Sequence, residues 1–293
     1  GIVVTGMNNL GQVVGYGHTT SDYWTHAFVA DSSGITDLSL LLPPGTKASF
    51  AFDINDSGTV AGSFDQPGRP TSAFQWNPAT GMKTDIGVGN AWHINSSGNM
   101  VLTTPNNAWL WEAATDTIVS ISGGIHLIAG VSELTDTNWV SGGVQLRGLG
   151  PQLPFRWQLD TGDFEIHPGL GGRWGTARDI NDLGEVVAYL STPDGQSRGV
   201  FWATDGSSVI LDTIGLSTDV SGISNDGLIV GYDSGGHPNG AKIWDRSGAG
   251  TMLPGPANGR AVAVSEGGHV LGSAGIGGNA SFSILWQAPG GNR

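Results

Sequence analysis

Apolar positions in this chain come in short bursts that alternate with small or polar residues and stop at glycine, asparagine or aspartate. Gln12-Val13-Val14-Gly15-Tyr16, Ser72-Ala73-Phe74-Gln75-Trp76 and Glu185-Val186-Val187-Ala188-Tyr189 are examples. Alternation bounded by turn residues marks β-strands, and no helical period persists anywhere in the sequence. The pattern predicts strands and tight turns throughout.

One phrase orders the bursts. Ala51-Phe52-Asp53-Ile54-Asn55-Asp56-Ser57-Gly58, followed by Thr59-Val60-Ala61-Gly62, reads as a strand, a turn and a second strand. Asn55 and Asp56 can bond their own backbone, and Gly58 supplies the positive φ of a hairpin exit. The phrase returns at Met7-Asn8-Asn9-Leu10-Gly11, Ile94-Asn95-Ser96-Ser97-Gly98 and Ile180-Asn181-Asp182-Leu183-Gly184. Looser copies end at Asn138, Gly227 and Gly268. The differences between successive turn positions, from Gly11 to Gly268, are 47, 40, 40, 46, 43 and 41 residues. Trp76, Trp111, Trp157, Trp202, Trp244 and Trp286 keep the same beat, with Ala30 in that place in the first copy.

A strand-only period of roughly forty residues is that of a propeller blade. The expectation is therefore an all-β, single-domain, seven-bladed β-propeller spanning residues 1–293, with blades of up to four antiparallel strands. The blades fall at about 1–45, 46–90, 91–130, 131–176, 177–219, 220–260 and 261–293. In each, strand A carries the Ala-x-x-Ile-Asn segment, B follows the turn, C ends in tryptophan and D follows a Pro/Gly/Asp turn. Little chain follows Trp286, so the last blade is expected to have three strands or to be completed by a segment preceding Gly1. The tryptophans read as core, each worth on the order of a few kcal/mol when buried.

Phrases of the form Ile-Asn-x-x-Gly-x-Val-Val-Gly, together with His26-Ala27-Phe28, resemble the HAF-repeat family of bacterial extracellular repeats, over essentially the whole chain. Only the first copy keeps the histidine; Ser72, Asn107, Leu153, Arg198, Gly240 and Phe282 replace it in the others. The resemblance implies a propeller and an extracellular or exported location, and carries over no catalytic residue. The chain opens at Gly1 rather than Met, consistent with a removed leader or a trimmed sequence, and no signal peptide is visible.

Composition narrows the partners. The 49 glycines suit many short strands and turns, and the chain has no cysteine for disulfide or thiolate chemistry. A net charge of −13 argues against nucleic acid and anionic membranes, and no apolar run is long enough for membrane insertion. No Gly-x-Ser-x-Gly elbow, phosphate-binding loop, zinc motif or EF-hand occurs, so no cofactor is expected.

Two sets of residues carry candidate chemistry. On the A strands, the residue before the isoleucine reads Gly6, Asp53, His93, Glu133, Asp179, Gly222 and Ala263. If Asp53, His93, Glu133 and Asp179 line a central channel, crowding raises at least one carboxyl pKa. Such a group would serve acid/base catalysis in a cofactor-independent lyase, hydrolase or cyclase, hold a hard cation, or simply hydrate the tunnel. The second set lies on the B-to-C and D-to-A loops and just before the column. Tyr23, Trp24, Phe52, Trp92 and Trp174 offer platforms, while His126, Arg173, Arg178 and Arg260 offer charge. His18, Lys47, Arg69, Arg147 and His237 join the same loops. Aromatic faces beside arginine forks suit a small polar, anionic or sugar-like ligand, and binding at this loop-rich mouth is the leading expectation. Enzymatic turnover is the alternative.

Overall fold

In the computed structural model the described residues are 1–18, 22–105, 107–121, 127–146, 150–213, 215–235, 240–256, 258–275 and 281–287, the side chains of 281 and 282 excepted. They form strands and turns with one 3-10 turn, Leu38–Leu41, and no α-helix. Compact packing divides the chain into two units, 1–125 and 126–293.

The first unit holds three antiparallel meanders. The first runs β1 (Ile2–Met7), β2 (Val13–His18), β3 (Thr25–Asp31) and β4 (Gly34–Asp37). The second is β5 (Ala48–Ile54), β6 (Val60–Asp65), β7 (Ser72–Asn77) and β8 (Gly81–Lys83). A single parallel bridge, Thr25 to Ala48, joins them. The third comprises β9 (Asn90–Ile94), β10 (Met100–Thr104), β11 (Asn107–Glu112) and β12 (Thr117–Ser120).

The second unit holds four. They are β13 (Leu127–Leu134), β14 (Trp139–Gln145), β15 (Gln152–Gln158) and β16 (Phe164–Ile166); then β17 (Gly175–Ile180), β18 (Val186–Ser191), β19 (Ser197–Trp202) and β20 (Ser208–Ile210). Next come β21 (Ser217–Ile223), β22 (Ile229–Ser234), β23 (Gly240–Trp244) and β24 (Gly250–Met252). The last sheet has three described strands, β25 (Arg260–Val264), β26 (His269–Gly275) and β27 (Ser281–Gln287).

Within each unit the cores lie between consecutive sheets. Val14, Ala51, Ile54 and Phe74 share one cluster; Ala61, Ile94, Met100 and Trp111 share the next. In the second unit Val187, Phe201, Ile223 and Trp244 form one, and Val230, Ala261 and Trp286 another. A sheet apolar on both faces needs a neighbour on each side, and Ile54, Ile94, Ile180 and Ile223 of the inner strands supply part of that contact. Trp111, Trp157, Trp202, Trp244 and Trp286 are buried, and Trp76 packs half-buried against the first cluster.

The repeated asparagine knits sheet to sheet. Asn55 Oδ1 accepts the amides of Ser57 and Thr59 within its own turn, while its Nδ2 donates to the carbonyl of Asn95 at 2.9 Å. Asn8 donates likewise to the carbonyl of Asn55 and Asn181 to that of Ser224. The acidic turn residues also reach across: Asp56 accepts from the amide and side chain of Asn9, and Asp182 from the side chain of Asn225.

Candidate functional site

The inner strands do not alternate evenly. Each carries a register shift just before the column position: between Val4 and Gly6, Ala51 and Asp53, Val131 and Glu133, Ala177 and Asp179, Val220 and Gly222, and Ala261 and Ala263. In β9 the same slip falls between Ala91 and His93. These are β-bulges, whose extra residue breaks the alternation of faces. Thr5, Phe52, Trp92, Ser132 and Arg178 are five of the extra residues.

The bulge places the column residues against backbone. Asp53 accepts the amide of Ile54 on one oxygen (2.8 Å) and that of Ile94, on the next sheet, on the other (3.0 Å). Asp179 repeats this with Ile180 (2.9 Å) and Ile223 (2.9 Å). Glu133 accepts the amide of Leu134 at 3.0 Å, and His93, half-buried, pairs with Val101 across β9 and β10. Oδ2 of each aspartate therefore staples its strand to the next inner strand, while Oδ1 stays on its own strand. A Cβ on Gly222 would sit 3.3 Å from Asp179 Oδ2, so the small residue in the next copy leaves room for the carboxylate. Among the described residues no group of three or more His, Asp or Glu side chains is arranged to hold a metal ion.

In the first unit the extra residues build an aromatic row. Tyr16 meets Phe50 edge-on at 5.0 Å, Phe50 stacks on Phe52 at 6.1 Å, and Phe52 lies 4.1 Å from Trp92. Trp92 donates its indole N–H to Thr103 Oγ1 at 2.8 Å and is 43% exposed. Tyr23, at φ 62°, is exposed beside Trp24, whose ring carries Lys47 Nζ at 4.7 Å. Here the β2–β3 and β4–β5 connections meet, as the sequence leads one to expect.

The second unit repeats that meeting with a cleft. The β16–β17 connection, residues 167–174, packs beside the hairpin 192–196. Trp174 N donates to Ser191 Oγ (2.9 Å), Ser191 N to the Trp174 carbonyl (2.8 Å) and Gly172 N to the Ser191 carbonyl (3.1 Å). Gly172 is required: a Cβ there would lie 2.2 Å from the Ser191 oxygens. The cleft encloses about 510 Å³ and is lined by Gly171, Arg173, Trp174, Tyr189, Thr192 and Pro193, among others. Trp174 is 61% exposed and Arg173 is exposed, so neither is held by core packing.

Tyr189 joins this cleft to the arginines. Arg178 lies over its ring at 5.5 Å and reaches Asp219 at 3.4 Å. Tyr232 donates its hydroxyl to Asp219 Oδ2 at 3.1 Å, and Arg260 covers the Tyr232 ring at 4.4 Å. Burial, then the charge of Asp219, raises the Tyr232 phenol pKa above its ordinary value, against the pull of Arg260 and Arg178. Arg173, Trp174, Arg178 and Arg260 thus fall along one run of contacts in this unit, linked by Tyr189, Asp219 and Tyr232. The sequence reading missed the two tyrosines; the signal was present, since Tyr16, Tyr189 and Tyr232 occupy one slot of the repeated second strand. His126, Arg147 and His237 lie outside the described residues.

A comparable cleft of about 510 Å³ in the first unit, between Pro43–Gly45 and Gln66–Arg69, carries an exposed arginine but no exposed aromatic ring. Ion pairs elsewhere that have one buried partner are structural. Arg156, 1% exposed, holds Glu165 at 2.8 Å and stacks at 4.3 Å on Trp202. Arg246 grips Glu185 with two bonds of 2.7 Å.

No protein-family model matches the sequence, and no curated protein matches it. Solved structures do. Over 96% of its length the chain is similar to the dipeptidyl peptidase 4 of Porphyromonas gingivalis, at 11% identity and a TM-score of 0.63. It is similar over 98% to an acylaminoacyl peptidase of Pyrococcus horikoshii, at 11% identity and 0.58. The chain spans about half of each peptidase, 49% and 51%. It also covers 89% of the β-propeller domain of the trilobed protease of Pyrococcus furiosus, at 10% identity and 0.56. At such identities the likeness establishes architecture alone: this chain has the β-propeller fold.

Proposed function

We propose that this β-propeller binds a small anionic, sugar-like molecule in the cleft formed by Arg173, Trp174 and Tyr189. The observation that carries the reading is the exposed indole of Trp174 beside the exposed guanidinium of Arg173, in a cleft of about 510 Å³. An indole left in water costs free energy that a sugar ring's apolar face would recover, and an arginine fork matches a carboxylate or phosphate. In a chain of net charge −13, anions are repelled at long range, so a local cation is needed to hold one. Arg178 and Arg260 extend the positive side, with Arg178 already committed in part to Asp219.

The acid/base alternative draws no support from Asp53 and Asp179, whose oxygens already accept backbone amides. Kinship with the HAF repeats, a seven-blade count and an exported location belong to the same proposal. The recurring Asn turns and the seven meanders support the first two; the third rests on the resemblance alone. The negative charge supports a partner that is neither nucleic acid nor an inserted membrane.

The test is calorimetric titration with acidic sugars (glucuronate, galacturonate and their short oligomers) against neutral glucose. Saturable binding of an acidic sugar, weakened at least tenfold in Trp174→Ala and in Arg173→Ala, is expected. Equal binding of glucose, or variants that bind as the parent does, would refute the proposal, as would no saturable binding.

A further inference from the structure

Two arginines beyond the Trp174 cleft keep their donors unspent. Arg260 is exposed, its guanidinium lies 4.4 Å from the centre of the Tyr232 ring, and among the described residues its N–H groups meet no acceptor. Arg178 lies over the Tyr189 ring at 5.5 Å and stands 3.4 Å from Asp219 Oδ1. That oxygen is buried and accepts no hydrogen bond, so Arg178 balances its charge without committing an N–H to it. Oδ2 of Asp219 accepts the Tyr232 hydroxyl at 3.1 Å. Two guanidiniums thus face one carboxylate, which leaves one positive charge over. The carboxylates next to these residues in the chain are occupied elsewhere: Asp179 accepts the amides of Ile180 and Ile223, and Asp233 holds the buried Lys242.

Each arginine is stacked on a tyrosine of the repeated second strand, so its plane is fixed before any ligand arrives. An arginine fork without an acceptor is a site for carboxylate or phosphate oxygens. Both forks are reached from the cleft through contacts of 5.5 Å or less: from Tyr189, which lines the cleft, to Arg178, to Asp219, to Tyr232 and to Arg260. A monosaccharide acid needs one cation, and Arg173 supplies it inside the cleft. Arg178 and Arg260 then call for an acidic group further along the same ligand. Resting on the acidic-sugar reading of the cleft, we propose that the ligand is a chain of at least two uronate units. One ring lies on Trp174, and a further carboxylate meets Arg178 and Arg260. Tyr232 is a positioning residue that holds Arg260 flat.

Calorimetric titration of the whole chain compares galacturonate, digalacturonate and the dimethyl ester of digalacturonate, which keeps the size and removes both charges. Digalacturonate is expected to bind at least tenfold more tightly than either the monomer or the ester, since its second acid binds as part of one molecule. In Arg260→Ala the dimer-to-monomer affinity ratio should fall at least fivefold. Because the Arg260 stem also covers Tyr232, Arg260→Gln is the second variant: it keeps much of that stem, loses the charge and should lower the ratio equally. A purely structural role for Arg260 would weaken both sugars together and leave the ratio where it was. Equal affinity for monomer and dimer, or the parent ratio in both variants, overturns the second-acid subsite, while galacturonate binding that is lost in Trp174→Ala still upholds the cleft. No saturable binding of either sugar overturns both.

Discussion

Asp179 Oδ2 accepts the backbone amide of Ile223, 44 residues further along the chain, at 2.9 Å. The acceptor stands on one inner strand and the donor on the next, so a single carboxylate fixes their spacing. Asp53 holds Ile94 in the same way at 3.0 Å.

Asp179→Ala is expected to lower stability by about 1–3 kcal/mol, the cost of leaving a half-buried amide without its acceptor. Asp179→Asn should also destabilise, because an amide NH2 turned toward either backbone N–H meets another donor. Urea unfolding midpoints measure both, and sugar titration separates the roles. Lost stability with retained ligand affinity supports the stapling role; unchanged stability with lost activity would return the residue to the catalytic reading.

The repeat is legible in the sequence because turn chemistry is local. Asn55 and Gly58 must sit at fixed spacing to close their hairpin, and Trp76 recurs because each sheet needs the same packing element. The bulge leaves no such trace. One inserted residue, Phe52 or Arg178, changes the face on which its neighbours lie, so counting by twos from Ile54 does not fix where Asp53 points. The staple from Asp179 has its donor on a distant strand, and its visible half was only the small residue at Gly222. The cleft was half legible. Arg173 and Trp174 announce themselves as loop residues of unusual type, whereas Tyr189 looks like any strand aromatic until Arg178 is found over its ring.

The glycine of the repeated second strand faces the bulge at close quarters. A Cβ on Gly231 would lie 2.1 Å from the carbonyl oxygen of Asp219 and 2.9 Å from Val220 Cα. Gly231→Ala should cost about 1–3 kcal/mol, since backbone rather than a flexible side chain must move. The displaced residue would be Asp219, so the contacts with Arg178 and Tyr232 should loosen too. Gly130→Ala is the control, because nothing stands within 4 Å of its Cβ position. Thermal unfolding of the two variants checks the contrast.

Lys242 is 2% exposed and donates to Asp233, itself fully buried, at 3.1 Å; Thr218 donates to the other oxygen of Asp233 at 2.9 Å. Lys242→Met is expected to destabilise by about 3–5 kcal/mol, because it removes the cation that compensates a buried carboxylate. The double variant Lys242→Met with Asp233→Leu should recover most of that loss, since apolar packing replaces both desolvated charges. Denaturant unfolding of the parent, both single variants and the pair gives the coupling directly.

Two histidines should tilt the pH dependence of stability in opposite senses. Burial acts to lower the pKa of His26, but Asp37 and then Asp22 outweigh it, so its folded value lies above the ordinary 6.5. Its contribution is complete below the unfolded pKa and is lost as pH rises through the folded one. His167 is buried against Trp202 at 5.4 Å, and burial lowers its pKa below 6.5. Its neutral form is the favoured one, so its contribution is present above the unfolded pKa and is lost as pH falls through the folded one. His26→Gln should therefore flatten the decline on the alkaline side of about pH 6.5, and His167→Gln the decline on the acid side. Unfolding free energies measured from pH 5 to 8 on the parent and both variants test the signs. A parent curve that keeps its alkaline slope in His26→Gln would remove the imidazolium from the first sheet.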